Sequence, residues 1–129
     1  MSLSFKKPDL PKFTTRRERE VDLRRGSRQS RGYDQSWDKL RLQHLAKEPL
    51  CRESGFRGRV VLADLVDHIR PVRDRPDLRL DPDNLCSLNQ KMHDTWKRWL
   101  ESEARKLGDI DLLVQWMKDP LTRPRKFMP

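Results

Sequence analysis

The sequence predicts a small α+β domain, and three observations carry that prediction. A run with helical spacing opens at Ser36 and stops before Pro49. An apolar, β-branched run spans Arg59 to Ile69. A second helical run places Leu85, Leu88, Met92, Trp96, Trp99 and Leu100 at intervals of three and four. The 129 residues allow one such domain and exclude two comparable ones.

The elements follow in order. In the first helix, Trp37, Leu40 and either His44 or Leu45 share a face; His44 reads as a surface or satisfied core residue. Residues 51–58 hold Gly55 and Gly58 and predict a turn. Residues 59–69 predict one or two short strands, read as a β-hairpin. Pro71 to Pro82 is a polar loop with three prolines. Asp81-Pro-Asp-Asn opens the next helix, with Asp81 or Asp83 as its cap, and that helix is expected to run on through Leu100. Gly108 separates it from a last helix over 109–117. The predicted order is helix, hairpin, loop, helix, helix, with Trp96 and Trp99 expected in the core.

Charge divides the chain into three parts. The total is +9, yet residues 1–31 hold ten basic residues against four acidic ones, and residues 118–129 hold four against one. Residues 32–117 are therefore neutral, a domain between two basic tails. The N-terminal arm includes Arg24 and Arg25, has few large apolar residues, and is expected to be flexible. Its run 14–25 has the pattern of a short helix capped by Thr14 or Thr15. Such an arm suits DNA phosphates, and equally suits a solubilising tail. No stretch approaches ~18 apolar residues, so no membrane span is expected. The start lacks an apolar signal segment. Two cysteines, Cys51 and Cys86, are too few for a disulfide scaffold and point to a reducing cytoplasm.

Chemistry concentrates in two short segments. Val66-Asp67-His68-Ile69 ends the predicted strand; Asn84 starts the next element, and His93-Asp94 follows nine residues after Asn84. Two of the chain's three histidines are here. A carboxylate and an imidazole can share one divalent metal with positions left open, and a second imidazole near neutrality can take a proton from water. Asp67 and His68 are adjacent, so on a regular strand they point to opposite sides. They would reach one site only if the strand bends or twists there.

With those residues in place, the sequence resembles the HNH endonucleases of the ββα-metal class, particularly their small phage-type members. The resemblance covers about residues 31–98 and rests on the order Asp67-His68, Asn84, His93 with a Pro49-Leu50-Cys51 turn before the strand. It implies an α+β fold with a ββα-metal motif, and a metal-dependent nuclease hydrolysing DNA; the basic tails, suited to phosphates rather than bases, make low sequence specificity the expectation. It implies His68 as general base on water, Asp67 and His93 as ligands to one divalent ion (Mg²⁺, Mn²⁺, Ni²⁺ or Zn²⁺), and Asn84 as a brace for the loop carrying His68. The helix and hairpin would lie against the DNA minor groove. Arg70, Arg73, Arg75 and Arg79, in the loop between His68 and Asn84, would border DNA, unless Asp74 and Asp77 merely neutralise them. The phage type further implies a place beside the terminase in DNA packaging, inside a bacterial host.

The sequence also departs from that family. Many members hold a structural zinc with two cysteine pairs, which would fall on Cys51, Ser54, Asn89 and Met92. One thiolate among those four makes no tetrahedral zinc site, so no structural zinc is expected. Cys86 reads as a small core residue. Leu50, Phe56 and Trp37, packed near Met92 and Trp96, are expected to replace the zinc. The rival readings are a DNA-binding module of the same fold without turnover, and a packaging-complex subunit.

Overall fold

A computed structural model of the chain describes residues 34–129. The N-terminal arm, with Arg24, Arg25 and the possible helix beginning near Thr14, lies outside the described residues.

Helix α1 (Gln35–Lys47) is capped by Asp34, whose carboxylate accepts the Trp37 N–H at 3.0 Å. The cap therefore lies two residues before Ser36. Residues 52–56, expected as a turn, form a short helix, α2 (Arg52–Phe56). Cys51 caps it, its sulfur accepting the Ser54 N–H at 3.5 Å. Strand β1 (Leu65–His68) pairs antiparallel with β2 (Leu85–Leu88) in the register Leu65–Leu88, Val66–Ser87, Asp67–Cys86, His68–Leu85.

That pairing corrects two expectations. The hairpin does not close within 59–69, where an isolated bridge joins Leu50 to Leu62 instead. The helix expected from Asp81 is interrupted as well. Asp81 caps only a 3₁₀ turn, Pro82–Asn84, and the next four residues are strand. All four residues of β2 are buried. A strand covered on both faces loses its period-two signature. The spacing of Leu85, Leu88 and Met92 then imitates a helix.

Helix resumes as α3 (Gln90–Met92), capped by Asn89, whose side chain accepts the Met92 N–H at 2.8 Å. It widens into a π turn at His93–Lys97 and continues as α4 (Arg98–Lys106). A wider turn displaces every later residue around the axis. Counting from Met92, an α-helix would place Trp96 and Trp99 inward. Instead Lys97, Leu100 and Ala104 form the buried stripe. Trp96 is half-buried with Arg57 stacked over it, 3.9 Å from the ring centre, and Trp99 is 49% exposed. Trp99 is therefore not a core residue.

The two-stranded sheet separates two apolar clusters. On one face Trp37, Val66 and Leu85 gather under α1. On the other, Cys86 and Leu88 join Cys51, Met92, Leu100 and Leu113. Cys86 is completely buried, and that burial pushes its thiol up to about 12. Gly108, at φ +69°, ends α4. Helix α5 (Leu112–Lys118) then packs Leu113, Trp116 and Met117 into the second cluster.

Residues 118–129 do not form a loose basic tail. Arg123 is 2% exposed, donates to the Trp116 carbonyl at 2.9 Å, and meets both oxygens of buried Glu53 at 2.7 and 2.8 Å. Lys126 pairs with Glu103 at 3.4 Å. A buried carboxylate on α2 requires a cation, and the C-terminal segment supplies it. Partners 70 residues apart leave no local trace in the sequence.

Glu48 ties α1 to the sheet. Its carboxylate accepts the Ser87 N–H at 2.8 Å and meets Arg52 and His44, each at 2.8 Å. Burial alone would raise its pKa, but the hydrogen bonds from Arg52, Ser87 and His44 outweigh burial and hold it below the ordinary value. The ionised form is thus favoured by folding. Its contribution is present above the ordinary glutamate range and is lost as pH falls through the folded value. Glu48→Gln is expected to cost about 1–2 kcal/mol at neutral pH, given that the site is partly exposed. Denaturant titrations should show the gap between wild type and variant closing in acid.

Candidate metal centre and catalytic residues

Asp67 leaves β1 on the face turned toward the helical run 90–106. Its Oδ1 lies 3.8 Å from His93 Nε2. A metal with bonds of ~2 Å to each would bridge that distance. The His93 ring is held in orientation: its Nδ1 meets Asp94 Oδ1 at 2.9 Å, and Gln90 donates to the same oxygen at 2.9 Å. The hydrogen bond from His93, then the one from Gln90, keeps the Asp94 carboxyl below the ordinary range. In the tautomer with Nδ1–H donating to Asp94, the nitrogen free to bind a metal is Nε2, the one facing Asp67. A carboxylate oxygen and an imidazole nitrogen fit a divalent cation. No group of three or more His, Cys, Asp or Glu side chains gathers among the described residues. The pair would therefore leave most coordination positions to water and phosphate.

Asp67 Oδ2 is committed elsewhere. Lys97, 1% exposed, donates to it at 2.9 Å, to the His68 carbonyl at 2.8 Å and to Glu101 at 2.6 Å. Burial alone would lower the lysine's pKa, but the neighbouring charges, Asp67 foremost, outweigh burial and raise it. Sequence reasoning missed Lys97. The available signal was a lysine between Trp96 and Leu100 with Glu101 four residues on, which reads as an ordinary surface pair.

The structure does not bring His68 to the same side. The register is regular through Asp67–Cys86 and His68–Leu85, so the two residues project from opposite faces. The His68 ring stacks on Trp37, with centroids 4.5 Å apart and planes at 25°. Its Nε2 lies 2.9 Å from the Arg79 carbonyl. A carbonyl only accepts, so Nε2 carries the proton and Nδ1 the lone pair. Burial is the largest influence on His68 and lowers its pKa, which favours the neutral ring.

Asn84 is 1% exposed and closes the neck of the loop 69–84. Its Oδ1 accepts the Arg70 N–H at 2.9 Å, its Nδ2 donates to the Arg70 carbonyl at 3.0 Å, and its own carbonyl accepts the Ile69 N–H at 2.8 Å. This is a side-chain rung added to the end of the β1–β2 ladder, immediately after His68.

The loop arginines differ in their engagements. Arg70 and Arg75 meet Asp111 at 3.0 and 3.4 Å, Arg75 also pairs with Asp77 at 2.9 Å, and Arg79 meets Asp34 at 3.2 Å. Asp74 is taken by Arg105 at 2.6 Å. Arg73 is exposed.

The four positions of the family's zinc pairs have other uses here. Cys51 and Asn89 cap helices, Met92 joins Cys51 in the apolar cluster, and the Ser54 hydroxyl is buried without a partner. Trp37 and Leu50 do not pack there as expected. Trp37 lies under the other sheet face, and Leu50 is largely exposed.

No family model matches the chain, and no curated protein matches it. Among solved structures, the chain is similar to the HNH endonuclease of the deep-sea thermophilic bacteriophage GVE2, crystallised with manganese ion. The two are 34% identical with a TM-score of 0.52, and the match covers 67% of this chain and 95% of the phage protein.

Proposed function

Because the chain belongs to the HNH endonucleases, we propose that it hydrolyses DNA phosphodiester bonds with the help of one divalent metal ion. The observation that carries the reading is the approach of Asp67 Oδ1 to His93 Nε2 at 3.8 Å, with His93 oriented from behind by Asp94. The manganese ion crystallised with the phage enzyme supports a divalent ion as cofactor. When bound, such an ion would lower the cost of charge developing on the phosphate oxygens. Asp67 and His93 would hold it.

The remaining steps belong to the chain's own groups. Because Asp67 and His68 project from opposite faces of β1, this reading requires the phosphate to lie across the strand end, where His68 is the last residue. Neutral His68, with its lone pair on Nδ1, takes the proton from the attacking water. Asn84 fixes the backbone beyond it. Exposed Arg73 and the basic arm with Arg24 and Arg25 would hold phosphates without reading bases, which gives low sequence specificity. Arg70, Arg75 and Arg79 would contribute to DNA contact only by releasing their acidic partners. The substrate in this reading is DNA, and the phage-type resemblance extends the reading to packaging of a phage genome beside a terminase. The protein would act in the cytoplasm of a bacterial host, and no helix among the described residues is long and apolar enough to cross a membrane.

A plasmid-nicking assay with Mn²⁺, Mg²⁺ or Ni²⁺, and with chelator, tests the reading. Nicking that requires added metal is expected. DNA binding without nicking under every metal would replace the enzyme with a binding module. Metal analysis of purified protein should find no zinc that resists mild chelation, since only one of the four zinc-pair positions, Cys51, carries a thiol. Asp94→Ala is expected to weaken Mn²⁺ binding about 10–100-fold by freeing the His93 ring. Calorimetric titration with Mn²⁺ measures this directly.

A further inference from the structure

The surroundings of Lys97 are those of a bound cation. All three ammonium hydrogens are used, two on carboxylates (Asp67 and Glu101) and one on the His68 carbonyl. The side chain is 1% exposed, so the interaction takes place out of water. One oxygen of Asp67 is thereby fixed on the lysine, and the other is left pointing at His93.

We propose that Lys97 is a positioning residue: a resident counter-cation on Asp67 Oδ2 that holds the site's affinity for metal low. The inference rests on the metal-site reading above. Without a cation, Asp67 and Glu101 would face each other across a dry gap and repel. Lys97 removes that repulsion before any metal arrives. A dication at Asp67 Oδ1 then shares the carboxylate with the ammonium on Oδ2, and two cations on one carboxylate weaken each other's hold. The site is thus preformed but loosely binding, which suits an ion that must leave positions open for phosphate and exchange readily.

The proposal predicts opposite effects from two substitutions. Lys97→Met removes the competing charge and should tighten Mn²⁺ binding about tenfold or more, because a unit charge a few ångströms away in a partly dry site acts strongly. Glu101→Gln keeps an oxygen acceptor for the lysine but removes the negative charge that offsets it, and should weaken Mn²⁺ binding severalfold. Calorimetric titration with Mn²⁺, checked by paramagnetic resonance of the unbound ion, reads both on folded protein. Shifts in the same direction, or no shift in either, would overturn the proposal, since a lysine that only supports the fold predicts no opposition. If Lys97→Met does not fold, Glu101→Gln alone decides, and unchanged or tighter binding overturns it. Wild type that takes up no Mn²⁺ would instead overturn the metal-site reading beneath it.

Discussion

His68→Ala is expected to lower single-turnover DNA cleavage by about 10²–10⁴-fold while leaving DNA binding intact, the range for removal of a positioned general base. The ring also stacks on Trp37 and donates to the Arg79 carbonyl, so the variant loses packing as well as a base. His68→Phe separates the two contributions. Phenylalanine keeps a flat ring against Trp37 but has no nitrogen to accept a proton. If His68 transfers a proton, both variants are inactive although His68→Phe retains more stability. If His68 only supports the loop, His68→Phe restores cleavage. Cleavage by gel, binding by mobility shift and stability by thermal melt distinguish these cases.

The largest stability effect is expected at Glu53 and Arg123. The side chains are 2% and 0% exposed and share two short hydrogen bonds. Glu53→Met would leave the Arg123 guanidinium buried with its carboxylate gone. Breaking such a pair from one side costs about 3–5 kcal/mol, which for a domain of this size lowers Tm by roughly 15–30 °C. Arg123→Met should cost less, because Glu53 retains Arg57 at 3.3 Å. Combining the two substitutions should recover much of the loss, because the fully buried guanidinium is then gone and Arg57, which loses Glu53, is partly exposed. A Glu53→Met variant that melts within a few degrees of wild type would contradict this account of the C-terminal segment.

How legible the molecule was in its sequence differs from element to element. Helix α1 was legible from its helical spacing and strand β1 from its apolar, β-branched run. The meeting of Asp67 with His93 follows from the order of motifs and the family they resemble. Asn84, read as a brace for the loop, makes three hydrogen bonds to the backbone of that loop's neck. Strand β2 was not legible, since burial on both faces erased its alternation and the neighbouring helix lent it a helical spacing. Lys97 and Trp99 exchanged expected places because a π turn adds one residue to the count, and no residue type announces such a turn. The C-terminal arginine was counted as surface charge because the carboxylate that buries it lies on α2, far away in the chain.

The loop closed by Asn84 has a consequence for how the domain can vary. Asp67 and His68 precede it and His93 follows it, so the candidate centre exists only once residues 69–84 have folded back and the two strands have met. Closure entropy rises only as the logarithm of length. Doubling the loop would cost about 0.6 kcal/mol, less than a typical buried hydrogen bond contributes. Because the Asn84 bonds fix both ends of the loop, new segments inserted near Pro76 or Asp77 should leave the geometry at its base undisturbed. That stretch is a natural place for related chains to differ in length, and for a designer to graft a segment that recognises a chosen DNA sequence.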